Sequence, residues 1–127
     1  MIKVVLDMNI LVSALWSSAG NPFKILNMFA KGEFTLYYSD SIANEYHDVL
    51  TRQRFNFNPE KVSKLLNDIC LFGILIAPKP SDFPMTDETD RKFYDAAKTA
   101  GAILITGNIK HYPTESFIIL PADFIQK

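Results

Sequence analysis

Short runs of consecutive apolar residues alternate along the chain with longer stretches in which apolar residues recur every three or four positions. The runs predict strands that are covered on both faces, because such strands carry apolar side chains at successive positions. The longer stretches predict amphipathic helices. The predicted strands are residues 2–6, 34–38, 74–77, 102–106 and 117–120, and the predicted helices are residues 8–16, 60–72 and 89–100, with two more that start at Asn21 and after Ser39 or Asp40.

Strands that alternate with helices predict an α/β fold. We expect one domain over residues 1–127, a three-layer α/β/α sandwich around a mainly parallel sheet. Prolines at the first helical position, as in Asn21-Pro22 and Asn58-Pro59, support two of the helix starts. The proline-rich segment from Lys79 to Thr86 is predicted to be the one irregular connector.

Composition restricts the function classes that the chain can serve. It has 127 residues, 48% of them apolar, and a net charge of −1, so it is not predicted to bind a polyanion through bulk electrostatics. The single cysteine, Cys70, is predicted to be a buried core thiol because it falls within an apolar helical stretch. The sequence shows no signal peptide and no membrane-spanning run, so a cytoplasmic location is expected.

Four carboxylates follow predicted strands at the turns into helices or on those helices. Asp7 directly follows the first strand, Glu45 lies on the helix after the second, and Asp87 and Asp90 open the helix before the strand 102–106. Ligands of open parallel sheets bind outside the carboxyl ends of the strands. Acids that converge there repel one another unless a cation lies between them, and hard divalent cations take carboxylate oxygens. The pattern predicts a metal site.

Each of these acids also has a purely structural interpretation. Asp7 and Asp87 are good helix caps. Glu45 lies at the boundary of the apolar face of its helix, where an exposed acid is common. A cap and a metal ligand are compatible at a strand-to-helix turn, so the structural interpretation does not exclude the functional one.

Asp90 is the strongest anomaly among the acids. On a helical wheel it lies inside the apolar sector beside Phe93 and Tyr94, whereas Glu88 and Asp95 are predicted to point to solvent. A carboxylate that is directed inward must be paired or bind a cation. The alternative is the favourable interaction of first-turn acids with the helix dipole.

Residues after the strand 102–106 can form the rim of such a site. Thr106, Gly107 and Asn108 suit a site rim as well as an ordinary turn. His47 and His111 are predicted to be solvated, although Lys110 and His111 are also candidates for contact with phosphate.

Three segments together resemble the PIN domain, a metal-dependent ribonuclease fold shared by many bacterial and archaeal toxins of toxin–antitoxin pairs. They are VVLDMNILVSAL, SDSIANEYHDVL and DETDRKFYDAAKTAGAILITGN. The resemblance covers essentially the whole chain, and the ordered set is specific although each segment alone is weakly so. It implies that Asp7, Glu45 and Asp90 are the catalytic, metal-holding acids, with Asp87 a close competitor of Asp90.

The resemblance also implies supporting roles at the rim. Asn9 matches the small polar residue two positions after the first acid, and Thr106 matches a hydroxyl residue at the rim. Asn108 stands where the family commonly has its fourth acid, so this ligand set has one negative charge less and a second metal site should be weaker.

The implied activity is hydrolysis of RNA phosphodiester bonds with one or two Mg²⁺ or Mn²⁺ ions. The expected partners are an RNA substrate, a cognate antitoxin and a second copy of the chain in a dimer, with no membrane. Trp16, Tyr46 and Phe55 are candidate base contacts. Candidate phosphate contacts are Arg52, Arg54 and Lys61.

Other functions explain the acids less well. A phosphatase of the haloacid-dehalogenase type needs an Asp where this chain has Asn9, and a phospho-receiver domain needs an acceptor Asp after a central strand, which has no convincing counterpart here. The remaining alternative is a degenerate, non-catalytic PIN domain that binds RNA or a protein, with Asn108 as the first sign of lost activity.

Overall fold

The computed structural model describes residues 1–126. Its strands are β1 (Lys3–Leu6), β2 (Thr35–Tyr38), β3 (Ile74–Leu75), β4 (Ile103–Ile105) and β5 (Ile118–Ile119). Its helices are α1 (Met8–Trp16), α2 (Asn21–Ala30), α3 (Asp40–Leu50), α4 (Pro59–Phe72), α5 (Arg91–Ala100) and α6 (Pro121–Ile125), and short 3₁₀ turns lie at Gln53–Phe55, Glu88–Asp90 and Ile109–His111. Across this part of the chain, every helix is too short or too polar to cross a lipid bilayer.

The five strands form one parallel sheet in the order β3-β2-β1-β4-β5. Val4, Val5 and Leu6 of the central strand β1 are all buried. Successive side chains of a strand point to opposite faces, so helices must cover both faces of the sheet. The predicted α/β class, with a layered architecture and a parallel sheet, is confirmed.

Helix starts follow from capping side chains that the sequence makes visible. Asp7 caps α1 by accepting a hydrogen bond from the Met8 amide, and Ser39 caps α3 through the Ile42 amide, so Ser39 rather than Asp40 is the cap. At the other end of a helix, Gly101 ends α5 with a φ of 65°, a left-handed conformation that favours glycine. The capped turns at Asp7 and Ser39 follow β1 and β2 and therefore lie at the carboxyl edge of the sheet.

The connector between β3 and α5 folds back over α5. Because of it, the prediction that Asp95 points to solvent is wrong. Asp95 is buried, not solvent-facing, and it accepts hydrogen bonds from the backbone amide and the hydroxyl of Ser81. The guanidinium of Arg91 donates to the carbonyl oxygens of Ser81 and Phe83, which fastens the connector. Glu88 is exposed, as predicted, and pairs with Arg91 at 2.7 Å.

The prediction that Cys70 is a buried core thiol is also wrong, because its side chain is exposed. Helix α4 buries only a narrow stripe that includes Val62 and Ile69, seven residues apart. Cys70 lies one position beyond Ile69, about 100° further around the helix, and therefore faces solvent. Helix α6, which was not among the predicted helices, packs Phe124 edge-on against Phe34.

Candidate functional site

The predicted acids meet in one open cleft of about 330 Å³ at the carboxyl edge of β1 and β4, here called the acidic cleft. Five parts of the fold contribute side chains to its walls: the end of β1, helix α1, the middle of α3, the turn before α5 and the turn after β4. The lining residues are Asp7, Met8, Asn9, Val12, Ser13, Glu45, Asp87, Asp90, Asn108 and His111.

Asp7 is the most firmly held of these acids. Its carboxylate is only 4% exposed and accepts hydrogen bonds from the Met8 amide at 2.6 Å, the Thr106 hydroxyl at 2.8 Å and the Tyr112 hydroxyl at 2.8 Å. Burial raises the pKa of Asp7, the three hydrogen bonds lower it in part, and the nearby Glu45 raises it further. Asp7 is therefore held in one position, and its hydrogen bonds only partly offset the cost of burying its negative charge.

Tyr112 is a member of the site that sequence reasoning missed. It lies in the polar segment after the turn Ile109–His111, yet its ring is buried and its hydroxyl reaches Asp7 across 105 positions of sequence. The only signal available in the sequence is an aromatic residue with a hydrogen-bonding tip shortly after the Thr106-Gly107 turn. Burial, followed by the charge of Asp7, holds the pKa of Tyr112 well above its usual range, so this hydroxyl remains a donor.

Asn9 and Thr106 connect the two strand ends that form the floor of the cleft. The Thr106 hydroxyl donates to Asp7 and accepts from the Asn108 amide at 3.0 Å. The Asn9 side chain accepts from the Gly107 amide at 3.0 Å and donates toward Asp7 at 3.4 Å. Both residues therefore orient Asp7 and the following turn, which is a supporting position.

Glu45 reaches the cleft from α3 but carries its own counter-ion. Lys92 of α5 donates to Glu45 Oε1 at 2.7 Å and to the Thr89 carbonyl at 2.7 Å, and both charged side chains are about one-fifth exposed. Sequence reasoning missed Lys92, because the two residues are 47 positions apart and lie on different helices. An ion that binds Glu45 must share this carboxylate with Lys92 or displace the ammonium group.

Asp90 carries the least compensated charge in the cleft. Its Oδ2 is buried and accepts no hydrogen bond from any described residue, and His111 Nδ1 lies 3.3 Å from it. Burial, followed by repulsion from Asp7 and Asp87, raises the pKa of Asp90 to about 6, which the attraction of His111 only partly offsets. His111 is exposed, as predicted, but it lies at the site.

Asp87 and Asp90 differ in what already holds them. The Asp87 carboxylate is exposed and accepts hydrogen bonds from the amide and the hydroxyl of Thr89, and these bonds lower its pKa. Asp87 therefore caps the turn before α5 and lines the rim, whereas Asp90 keeps an oxygen without a hydrogen bond.

The donor chemistry of the cleft fits a hard divalent cation, although the side chains are not arranged around one. Among residues 1–126, no three Asp, Glu, His or Cys side chains stand close enough together to hold one ion. Asp7, Glu45 and Asp90 are therefore not gathered around one point in this arrangement, and their role as ligands of one ion stays a prediction. Asp7, Glu45 and Asp87 each accept hydrogen bonds from partners of their own, whereas repulsion from neighbouring acids acts on Asp90 with less compensation. The orphaned Asp90 oxygen and the raised pKa of Asp7 are what a cation would relieve.

The titration of Asp90 gives a testable pH dependence. Because its pKa is about 6 in the folded protein against 3.8 ordinarily, its contribution to the free energy of unfolding is present below about pH 4 and is lost as the pH rises to about 6. Without metal, we expect the melting temperature of Asp90→Asn relative to wild type to increase across this window and to stay constant above about pH 7. Thermal denaturation in EDTA measures it. A constant difference from pH 4 to 7, or an equal rise in the exposed control Asp82→Asn, would contradict the prediction.

The candidate nucleic-acid contacts divide into buried and exposed residues. Tyr46 is wholly buried and its hydroxyl donates to the Leu6 carbonyl, so the prediction that it contacts a base is wrong. Trp16 is exposed and Phe55 is partly exposed. The three cations predicted to meet phosphate are also exposed, namely Arg52, Arg54 and Lys61.

Comparison with known proteins identifies the family and agrees with the fold. A family model described as the PIN domain matches residues 3–110. The chain belongs to the PIN domain family. It is 32% identical over 110 residues to the uncharacterized protein MJ1680 of Methanocaldococcus jannaschii, a match that covers 84% of this chain and 71% of that protein. Its fold is similar to a chain in the crystal structure of VapBC2 from Rickettsia felis bound to a DNA fragment from their promoter, with a TM-score of 0.58, 18% identity and coverage of 94% and 97% of the two chains.

Proposed function

We propose that this PIN domain is a metal-dependent endoribonuclease that hydrolyses RNA phosphodiester bonds in the acidic cleft. One observation carries the proposal. Four carboxylates from three separate segments line one cleft, and one of them, Asp90, keeps a buried oxygen that accepts no hydrogen bond from residues 1–126. Such a concentration of negative charge costs free energy unless a cation occupies it.

We assign Asp7, Glu45 and Asp90 as the residues that hold one or two Mg²⁺ or Mn²⁺ ions, with Asp87 and Asn108 at the rim. Bound metal would lower the pKa of a water molecule and stabilise charge on the phosphate. Asp7 is kept in place for this role by Thr106 and Tyr112, and Asn9 fixes the adjacent turn. In this proposal the attacking group is water, so no side-chain nucleophile is required.

We assign the protein to the cytoplasm as the toxin of a type II toxin–antitoxin pair. The support is the family membership together with a fold similar to a chain of the VapBC2 structure. This assignment includes two partners, a cognate antitoxin and a second copy of the chain in a homodimer. Co-expression with the product of a neighbouring gene, followed by size-exclusion chromatography with light scattering, tests both.

A second candidate function is a PIN domain that has lost catalysis and binds RNA or protein. Two observations favour it. Asn108 replaces an acid at the rim, and Lys92 already supplies an internal cation to Glu45. Metal affinity separates the two functions, because only the nuclease needs the acids to bind an ion.

The proposal is tested by incubating the protein with single-stranded RNA, structured RNA and DNA of the same sequence at millimolar Mn²⁺, with EDTA as control. We expect cleavage of RNA that EDTA stops. Intact RNA at every Mn²⁺ and Mg²⁺ concentration, from a protein shown to be folded, would favour the non-catalytic function.

Metal binding should also stabilise the protein directly. At a Mn²⁺ concentration about ten times the dissociation constant, mass action adds about 1.4 kcal/mol to the free energy of unfolding, which is a rise of about 5 °C in melting temperature at this size. Glu45→Gln should lose most of this rise, whereas the exposed control Glu60→Gln should keep it. An equal rise in wild type and Glu45→Gln would remove Glu45 from the ligand set.

A further inference from the structure

Three aromatic side chains, exposed Trp16 and partly exposed Phe55 and Phe57, form a cluster outside the acidic cleft, here called the aromatic platform. Phe55 and Phe57 stack in parallel with ring centroids 5.2 Å apart, and Trp16 meets each of them edge-on at 6.0 Å. The cluster exists because Asn56, at φ 49°, takes a left-handed conformation and turns the chain between the two phenylalanines. Trp16 remains 66% exposed, so a large aromatic surface is left open to solvent.

The platform continues directly from the acidic cleft. Val12 and Ser13 of α1 line the cleft, and Trp16 lies three to four residues further on the same helix face, about 6 Å along the axis from Val12. Helix α3 also connects the cleft with the platform. It carries Glu45, packs against α1 and ends just before the turn Gln53–Phe55. An RNA segment that ran from the cleft along α1 would therefore reach Trp16.

The surroundings of the platform are polar and cationic. The Arg54 guanidinium lies 4.9 Å from the Phe55 ring centroid. Lys61 follows Phe57 by four residues, near the start of α4, and neither Arg54 nor Lys61 forms an ion pair within residues 1–126. A pocket of about 470 Å³ beside Phe57 is lined in part by amide side chains of Gln53 and Asn56. Amides present both donors and acceptors, which match the edges of an unpaired base.

We propose that the aromatic platform binds unpaired bases of a single-stranded RNA segment next to the bond in the cleft, with Arg54 and Lys61 facing its phosphates. This inference rests on the proposed function for the identity of the strand. Bases in a duplex have their faces covered by neighbours, so a stacking surface selects unpaired RNA. Because the chain has a net charge of −1, such local contacts must supply the affinity.

The test measures RNA binding without divalent metal, so that it does not depend on cleavage. Fluorescence anisotropy with a labelled, non-self-complementary RNA of about twelve nucleotides gives the dissociation constant. Trp16 is the only tryptophan in the chain, so quenching of its emission reports stacking directly. Trp16→Ala should weaken binding between about five-fold and about 150-fold, and Trp16→Phe should weaken it less. The duplex of the same sequence should bind more weakly and quench less.

A matched control variant makes the outcome decisive. Phe72→Ala removes an aromatic ring that is 70% exposed elsewhere on the surface, and this variant should bind the RNA as wild type does. RNA binding by Trp16→Ala and Phe57→Ala that equals wild type would overturn the inference. Unchanged RNA affinity together with lost association with an antitoxin would assign the surface to a protein partner instead. Platform-dependent binding without any cleavage at millimolar Mn²⁺ would support this inference while contradicting the proposed nuclease.

Discussion

Replacing Asp7 by Asn is expected to lower the rate of RNA cleavage at saturating Mn²⁺ by at least about a thousand-fold, because bound metal contributes several kcal/mol of transition-state stabilisation. Asp7 is the acid whose position is fixed most completely, by three hydrogen bonds of 2.6–2.8 Å. Asn keeps one oxygen but removes the charge that would bind the ion. Single-turnover cleavage of labelled RNA measures the effect.

The same variant should remain folded, which separates loss of chemistry from loss of structure. Burial raises the pKa of Asp7, so the folded protein disfavours its charged form, and Asn resembles the protonated acid. The hydroxyls of Thr106 and Tyr112 can rotate to accept from the new amide. We therefore expect the melting temperature of metal-free Asp7→Asn to be equal to or above that of wild type.

Asp48→Asn is the matched control for this experiment. Asp48 lies on α3, outside the cleft, with a side chain that is 71% exposed and paired with Arg52. It should cleave RNA at the wild-type rate. Equal cleavage by wild type, Asp7→Asn and Asp48→Asn would show that the activity belongs to a contaminant.

The sequence predicted those parts of the site that depend on local rules. Asp7 follows an apolar strand, Ser39 and Asn58 cap helices, and parallel strands bring their carboxyl ends to one edge of the sheet. These features require only hydrophobic periodicity, cap chemistry and topology. The convergence of the four acids in one cleft follows from them, although their roles remain a proposal.

Features that depend on contacts between distant segments could not be predicted in this way. The partners of Asp7 and Glu45, Tyr112 and Lys92, lie 105 and 47 positions away in sequence. Asp95 appeared to face solvent on a helical wheel, but the wheel contains no information about the connector that folds over it. Tyr46 shows the same limit, since its polar tip finds the Leu6 carbonyl inside the core.

Asn108→Asp is expected to lower the Mn²⁺ concentration needed for half-maximal cleavage by at least about tenfold. The Asn108 side chain is exposed at the rim, and its backbone already anchors the turn to Thr106, so the substitution changes charge with little change of shape. One added negative charge about 4 Å from a divalent ion contributes roughly 2 kcal/mol even at the dielectric constant of water.

Without metal, Asn108→Asp should be unfavourable, because it should lower the melting temperature of the protein. A fifth acid in a cleft that already raises the pKa of Asp90 to about 6 increases repulsion, so Asn108→Asp should melt at a lower temperature than wild type in EDTA. Added Mn²⁺ should reverse the order. The control Asn27→Asp, at an exposed position of α2 outside both the acidic cleft and the pocket beside Phe57, should change neither quantity.

The rate of cleavage should also depend on which metal is supplied. Mg²⁺ requires near-ideal octahedral geometry and loses water reluctantly, so a site that lacks one carboxylate should work better with Mn²⁺. Asn108→Asp should therefore reduce the advantage of Mn²⁺ over Mg²⁺ as well as the concentration required. If titration of cleavage rate against each metal gives the same midpoints for wild type and variant, Asn108 does not lie near a bound ion, and the weak second site inferred from its missing charge is wrong.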